Sequence, residues 1–206
     1  MSNPVDFNLY LITDRHQIPA GQNLPAVIEE ALRGGVRAVQ LREKDLTVAE
    51  LLPLARELRS LTRQYGARLL INDKIDVALA VGADGVHLGG HSRPTEFVRR
   101  SIGTKMLIGV STHSSREIQV ACKQGADFVT FGPVFATPSK AVYGAPQGLQ
   151  ALSDACMKSL LPVFALGGIT PERAAAVRAA GAHGIALISA IIASASPKSA
   201  AEAFFA

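Results

Sequence analysis

The chain has no tryptophan, few aromatics of any kind (5%) and only two cysteines in 206 residues. Cys122 and Cys156 form neither a CxxC pair nor part of a His/Cys cluster, which excludes a disulfide framework and a zinc ribbon. A chain so poor in cysteine is expected in a reducing cytoplasm. There is no lysine run, and the net charge is only +4. With so few aromatics to stack on bases, nucleic acid is not an expected partner, and a mild positive excess suits a small anionic molecule better. The longest apolar stretch, Ala186 to Ala195, contains two serines and is about half the roughly 20 residues that a membrane span needs. Met1 to Asp6 has no basic segment leading into an apolar one, so neither a signal peptide nor a membrane partner is expected.

What is present is a globular composition, 48% hydrophobic and 18% charged, with a phrase that recurs. Gly35-Val-Arg-Ala-Val-Gln-Leu41 aligns with Gly82-Ala-Asp-Gly-Val-His-Leu88, Gly125-Ala-Asp-Phe-Val-Thr-Phe131 and Gly181-Ala-His-Gly-Ile-Ala-Leu187. Each phrase follows a segment of helical periodicity and opens a β-rich run. Its leading glycine therefore reads as the residue just past a helix end, where a left-handed backbone is cheapest without a Cβ.

The spacing between phrases leaves room for one more strand and helix each time. Those strands are Leu9–Thr13, Arg68–Asn72, Met106–Val110 and Pro162–Leu166, unbroken apolar runs as expected of parallel strands buried on both faces. Helices are expected near 23–34, 47–65, 74–82, 94–102, 114–124, 147–158, 171–180 and 196–205. Thr47-Val-Ala-Glu50 is a capping box, and Thr170-Pro171 places an N-cap before an N1 proline. Eight strands alternating with eight helices predict an α/β fold, a single-domain (β/α)8 TIM barrel spanning residues 1–206. An open doubly wound sheet is the other arrangement, and the absence of GxGxxG weighs against it.

In such a barrel the chemistry belongs at the carboxyl ends of the strands. A strand continuing through Gln40, Arg42 and Lys44 would turn all three to one side, a set of donors suited to a polyanion. The alternative is a buried ion pair of Arg42 or Lys44 with Glu43 or a neighbouring carboxylate. Gly167-Gly168 before a helix start suits phosphate, with Ser189 after the last strand, or else marks a tight turn. Thr137-Pro-Ser139-Lys140 lies in a long loop between Gly132 and Pro146. It could take a second phosphate beneath a closing lid, or be an ordinary polar loop. Asn72-Asp73 offers oxygen ligands for Mg²⁺ or caps the next helix. His113 is an acid/base candidate or a local hydrogen-bonding residue at a helix start. His87 is expected inside as a satisfied core histidine and His91 in an exposed turn, while His16 and His183 carry no functional case.

Taken together, Gln40-Leu-Arg-Glu-Lys44, Ile71-Asn-Asp73, Ala83-Asp-Gly-Val-His-Leu-Gly89, Gly109-Val-Ser-Thr-His113, Phe131-Gly-Pro133 with Thr137–Lys140, Ala165-Leu-Gly-Gly-Ile169 and Ile188-Ser-Ala190 resemble the thiamine phosphate synthase/TenI family. The resemblance runs in order along essentially the whole chain. It implies a TIM barrel and, for the synthase branch, condensation of hydroxymethylpyrimidine diphosphate with thiazole phosphate to give thiamine phosphate and pyrophosphate. By matching motif positions, Gln40, Arg42, Lys44, Asn72, Ser111 and Lys140 would hold the pyrimidine diphosphate. Asp73 would bind Mg²⁺, and Thr137, Ser139, Gly168, Ile188 and Ser189 would hold the thiazole phosphate. Catalysis would rest on Lys140, Arg42, Lys44 and Ser111, with His113 in the position of the TenI histidine.

One position departs from the pattern. Where synthases carry a second Mg²⁺-binding aspartate, this chain has Ser92 in His87-Leu-Gly-Gly-His-Ser92. The TenI branch, which isomerises a carboxythiazole phosphate without metal, is the alternative, and a non-catalytic thiazole-phosphate-binding barrel is a third reading. Retention of Gln40, Arg42, Lys44, Asn72, Asp73 and Lys140 favours the synthase, because a tautomerase has no diphosphate to hold. Expected partners are small phosphorylated substrates; homo-oligomerisation is left open.

Overall fold

The computed structural model describes residues 5–137 and 145–205. Eight parallel strands follow one another in chain order around a closed barrel. They are β1 (Leu9–Ile12), β2 (Ala38–Leu41), β3 (Arg68–Asn72), β4 (Gly85–Leu88), β5 (Leu107–Thr112), β6 (Phe128–Phe131), β7 (Val163–Leu166) and β8 (Gly184–Leu187). The helices between them are α1 (Leu24–Arg33), α2 (Val48–Gln64), α3 (Ile75–Val81), α4 (Thr95–Ile102), α5 (Ser115–Lys123), α6 (Gly148–Lys158) and α7 (Pro171–Ala179). After β8 come a single turn, α8 (Ser189–Ile192), and α9 (Pro197–Glu202). No helix among the described residues is long and apolar enough to cross a membrane.

The recurring phrase builds the same helix-to-strand turn four times. The leading glycines Gly35, Gly82, Gly125 and Gly181 all have positive φ. The next amide reaches back to the helix each time: Val36 to Ala31, Ala83 to Ala78, Ala126 to Ala121 and Ala182 to Val177. This is the Schellman closure, which satisfies a helix-end carbonyl. It also uses up the first three residues of each phrase, so the strands begin at Ala38, Gly85, Phe128 and Gly184.

The third residue of the phrase fastens the turn. Asp84 accepts from the Leu69 amide at 2.8 Å and from Arg59 of α2 at 2.6 Å. Asp127 repeats this with the Ile108 amide at 2.7 Å and Arg99 of α4 at 2.5 Å. Arg37 instead caps the carbonyls of Leu32 and Val36, and His183 pairs with the Phe7 carbonyl. The capping box also forms, with Thr47 and Glu50 bonding reciprocally. Thr170 holds the N-cap position of α7, but its hydroxyl makes no capping bond.

Contacts divide the chain into two compact units, one of Leu9–His87 with Leu187–Ala206 and one of Met1–Asn8 with Leu88–Ala186. In the first, β1 to β4 pair in parallel with Ile12 beside Gln40, Gln40 beside Leu70 and Asn72 beside His87. Leu69, Leu70 and Ile71 are fully buried, each worth about 1.5–3 kcal/mol of apolar transfer. In the second, β5 to β8 pair in parallel, with Ser111 beside Thr130 and Phe164 beside Gly184. Its core is aromatic: Phe7, Phe128 and Phe164 pack with ring centroids 5.2 to 5.7 Å apart.

Candidate active site

The carboxyl end of β2 carries the densest polar chemistry of the first unit. The strand stops at Leu41, so Arg42 to Lys44 turn away in irregular backbone rather than continuing the alternation expected from sequence. Glu43 turns inward and is 4% exposed. Its carboxylate accepts from the Thr13 hydroxyl at 2.6 Å, the Arg15 amide at 3.1 Å and the Arg15 guanidinium at 3.3 Å. Arg15 in turn grips Asp45 through two nitrogens at 2.6 and 2.5 Å, and these bonds hold the Asp45 carboxyl well below the usual range. His16 adds a contact to Asp45 at 3.1 Å.

Glu43 therefore has an ion pair with Arg15, and Arg42 takes no part in it. Arg42 is half-buried, and its amide donates to the Thr13 hydroxyl at 2.9 Å. Its guanidinium has no hydrogen-bond or ion-pair partner among the described residues. A fixed cation held in partly buried surroundings without a counter-charge is what an anionic ligand would complete. Lys44 is exposed in the turn that follows.

Behind Arg42 lies a buried polar chain. The Gln40 amide donates to the Tyr10 hydroxyl at 2.9 Å, and that hydroxyl lies 3.3 Å from His87 Nδ1. All three side chains are buried. Burial, with the nearby charge of Arg42, pushes the His87 imidazole down to about 3, and burial raises the Tyr10 phenol well above its usual value. His87 is thus the satisfied core histidine expected from sequence.

At the end of β3, Asp73 has φ 58°, the single non-glycine positive φ among the described residues. Such a backbone is uncommon outside glycine and is held here by surrounding bonds. The Asp73 amide donates to the His87 carbonyl at 3.0 Å, and Asn72 Nδ2 donates to Asp73 Oδ2 at 2.9 Å. Neither residue caps α3, whose N-cap position is Lys74 without a side-chain bond. The Asp73 carboxylate is exposed. Ile188 and Ser189, half-buried and exposed, open α8 after β8.

The second unit carries its own set. Gly167 and Gly168 both have positive φ, 103° and 62°. They also admit the β6 loop, since a Cβ on Gly167 would sit 2.7 Å from Pro133 Cα and one on Gly168 2.7 Å from the Ala136 carbonyl oxygen. The loop bonds alongside, Val134 to the Leu166 carbonyl and Phe135 to the Gly167 carbonyl. Arg173 donates to the Gly168 carbonyl at 2.6 Å while stacking on Phe135. The tight-turn reading of the glycine pair is thus realised. The Gly168 and Ile169 amides donate to no group among the described residues, which suits an anion.

Ser111 is half-buried within β5, and Thr137 ends the described part of the β6 loop. Ser139 and Lys140 lie outside the described residues. His113 precedes α5; its amide bonds locally to Glu117, while its ring Nδ1 lies 2.5 Å from the Gly132 carbonyl in the loop after β6, a longer-range contact than the local bond considered from sequence. The Ser92 hydroxyl accepts from the Gly89 amide at 2.6 Å, closing its own turn, and His91 is exposed. No group of three or more His, Cys, Asp or Glu side chains able to hold a metal occurs among the described residues. Cys122 and Cys156 are free thiols.

Sequence reasoning gave no role to Thr13, Arg15 or Asp45, and offered Glu43 only as an ion-pair partner of Arg42 or Lys44. The available signal was a carboxylate set between two cations just past a buried strand, with a second polar cluster, Thr13-Asp-Arg15, ending the neighbouring one.

The thiamine monophosphate synthase family model matches residues 9–191. A protein of Geobacter sulfurreducens is 56% identical over 202 residues, covering 98% of this chain and 94% of that one. The thiamine-phosphate synthase of Roseiflexus castenholzii is 43% identical over 209 residues, covering 98% and 91%. Among solved structures, thiamine phosphate pyrophosphorylase from Pyrococcus furiosus superposes with a TM-score of 0.88 at 37% identity, over 98% of this chain and 95% of that one.

Proposed function

The chain belongs to the thiamine monophosphate synthase family, and we propose that it condenses hydroxymethylpyrimidine diphosphate with thiazole phosphate, giving thiamine phosphate and pyrophosphate. The whole chain serves as one catalytic domain, a transferase of the pyrophosphorylase type acting in the cytoplasm on small phosphorylated molecules. The observation that carries this reading is the guanidinium of Arg42, without a partner among the described residues, beside a Glu43 already neutralised by Arg15.

In the reaction, the bond between the pyrimidine methylene carbon and the diphosphate oxygen breaks, and the electron pair leaves with pyrophosphate. The thiazole nitrogen lone pair then forms the new bond to that carbon. Such a displacement needs no covalent help, only stabilisation of the departing charge and reactants held in line. Arg42, Lys44 and Lys140 neutralise the leaving group, while Gln40, Asn72 and Ser111 hold the pyrimidine diphosphate. Thr137, Ser139, Gly168, Ile188 and Ser189 hold the thiazole phosphate, with the Gly168 amide available to it.

Asp73 is suited to hold Mg²⁺: its carboxylate is exposed, hard and fixed by an unusual backbone, and Mg²⁺ accepts one or two carboxylates when substrate phosphates complete its shell. When bound, Mg²⁺ would supply further neutralisation of the pyrophosphate. Ser92 contributes no second carboxylate, so the metal requirement rests on Asp73 and the diphosphate. The test is formation of thiamine phosphate from the two substrates, with and without Mg²⁺. Metal-dependent product supports the proposal, and its absence from folded protein refutes it.

A further inference from the structure

Arg173 stands where a helix has least use for a cation. It follows Pro171 and Glu172 in the first turn of α7, where the helix dipole disfavours positive charge. Its side chain is exposed, yet two contacts fix it. One guanidinium nitrogen donates to the Gly168 carbonyl at 2.6 Å, and the group lies 4.6 Å over the centre of the Phe135 ring. Both contacts fall within the second unit.

The carbonyl that Arg173 grips belongs to the peptide that carries the Ile169 amide. In a trans peptide the C=O and N–H point in opposite directions, so the Ile169 N–H faces away from the arginine. That N–H donates to no group among the described residues, and neither does the Gly168 amide before it. A cation bonded to the carbonyl oxygen also polarises the peptide, which strengthens its N–H as a donor.

The start of α7 offers an anion little by comparison. Pro171 has no N–H, the Glu172 amide turns onto its own carboxylate, and the Arg173 amide bonds to the Thr170 carbonyl at 3.0 Å. Glu172 also adds a negative charge, its carboxyl held below the usual range by the Thr170 hydroxyl, its own amide and Arg173. Anion binding here therefore falls to the amides that precede the helix.

We propose that Arg173 is a positioning residue for the thiazole phosphate, fixing the Gly168–Ile169 peptide with its N–H toward the phosphate and strengthening that N–H as a donor. This inference rests on the proposed function, since it concerns how that same site holds its second substrate.

The test compares wild type, Arg173→Met and Arg173→Lys as full chains. Methionine keeps an apolar stem over Phe135 but removes donor and charge, whereas lysine restores both at one nitrogen. In ligand-free Arg173→Met, NMR should show the Gly168 carbonyl carbon and the Ile169 amide proton both moving upfield. Its urea midpoint should stay at or slightly above that of wild type, because the helix loses an unfavourable charge. Its Kd for thiazole phosphate should rise about tenfold, the scale of one weakened charge-assisted hydrogen bond, with KM for the pyrimidine diphosphate within about twofold of wild type. Arg173→Lys should recover most of that loss. An unchanged Kd in Arg173→Met overturns the proposal, as does a loss of binding that tracks a lower urea midpoint and raises both KM values alike. Weakened binding with both NMR signals unmoved also overturns it, and makes Arg173 a direct phosphate ligand. Titration of wild type with inorganic phosphate tests the underlying reading separately. An Ile169 amide that responds to phosphate in a protein that forms no thiamine phosphate overturns the proposed function alone, and one that responds to neither phosphate nor thiazole phosphate overturns the role of Arg173.

Discussion

The buried carboxylate of Glu43 takes its counter-charge from Arg15, just past β1, and not from Arg42, its neighbour in sequence. The Thr13 hydroxyl links the two, donating to Glu43 at 2.6 Å and accepting from the Arg42 amide at 2.9 Å. One arginine thereby balances a structural charge, while the guanidinium of the other meets no partner among the described residues.

That division of labour separates two variants. Arg42→Ala should lower kcat/KM for condensation by about 10²–10³, the scale of one lost charge-stabilising donor, with the urea midpoint unchanged. Arg15→Ala should instead cost about 2 kcal/mol of stability, because Glu43 keeps its Thr13 and amide donors but loses its cation, and the Arg15 side chain is itself 32% exposed. Urea unfolding and steady-state kinetics on both proteins check the contrast.

Gly168→Ala should be destabilised by about 2–4 kcal/mol. Its φ of 62° is left-handed, and the new Cβ would meet the Ala136 carbonyl oxygen at 2.7 Å and Phe135 Cβ at 2.9 Å. Movement of the β6 loop to relieve that clash should also weaken thiazole-phosphate binding, measurable by calorimetry.

The fasteners of the repeat are expected to matter more than most surface carboxylates. Asp84→Ala strands the Leu69 amide and the Arg59 guanidinium together and should cost about 2–4 kcal/mol in urea unfolding. Asp154→Ala, which loses only a helix-surface bond from Gln150, should stay within about 0.5 kcal/mol of wild type.

His87 gives the stability a pH dependence of known sign. Its folded value, about 3, lies below the ordinary 6.5, so between these the unfolded chain binds a proton that the folded chain refuses. The contribution is complete above pH 6.5 and is lost as pH falls toward 3, amounting to a few kcal/mol at most. His87→Gln should flatten the loss of urea stability across that window.

The barrel was legible because its signals are local. Four phrases led by Gly35, Gly82, Gly125 and Gly181 announce four helix ends, and the apolar runs between them announce the remaining strands. The phrases nevertheless begin three residues before their strands, since the Schellman closure consumes Gly, its neighbour and the fastening residue. The site was legible as a set of residue types at strand ends, but not as a set of pairings. Which cation meets Glu43 depends on how β1 lies beside β2, and periodicity within β2 is silent on that. The same holds for Tyr10 and His87, brought together across strands distant in sequence. Asn72-Asp73 read equally as oxygen ligands for Mg²⁺ or as a helix cap, because composition alone does not separate the two; the cap position falls to Lys74, and Asp73 takes φ 58° with its amide on the His87 carbonyl.

The most direct measurement follows both substrates by ³¹P NMR in the presence of Mg²⁺, with wild-type protein and Arg42→Ala side by side. The account predicts that wild type releases pyrophosphate and forms thiamine phosphate in equal amounts, and that Arg42→Ala does so far more slowly. Intact, folded wild type that leaves the pyrimidine diphosphate signals unchanged would contradict it.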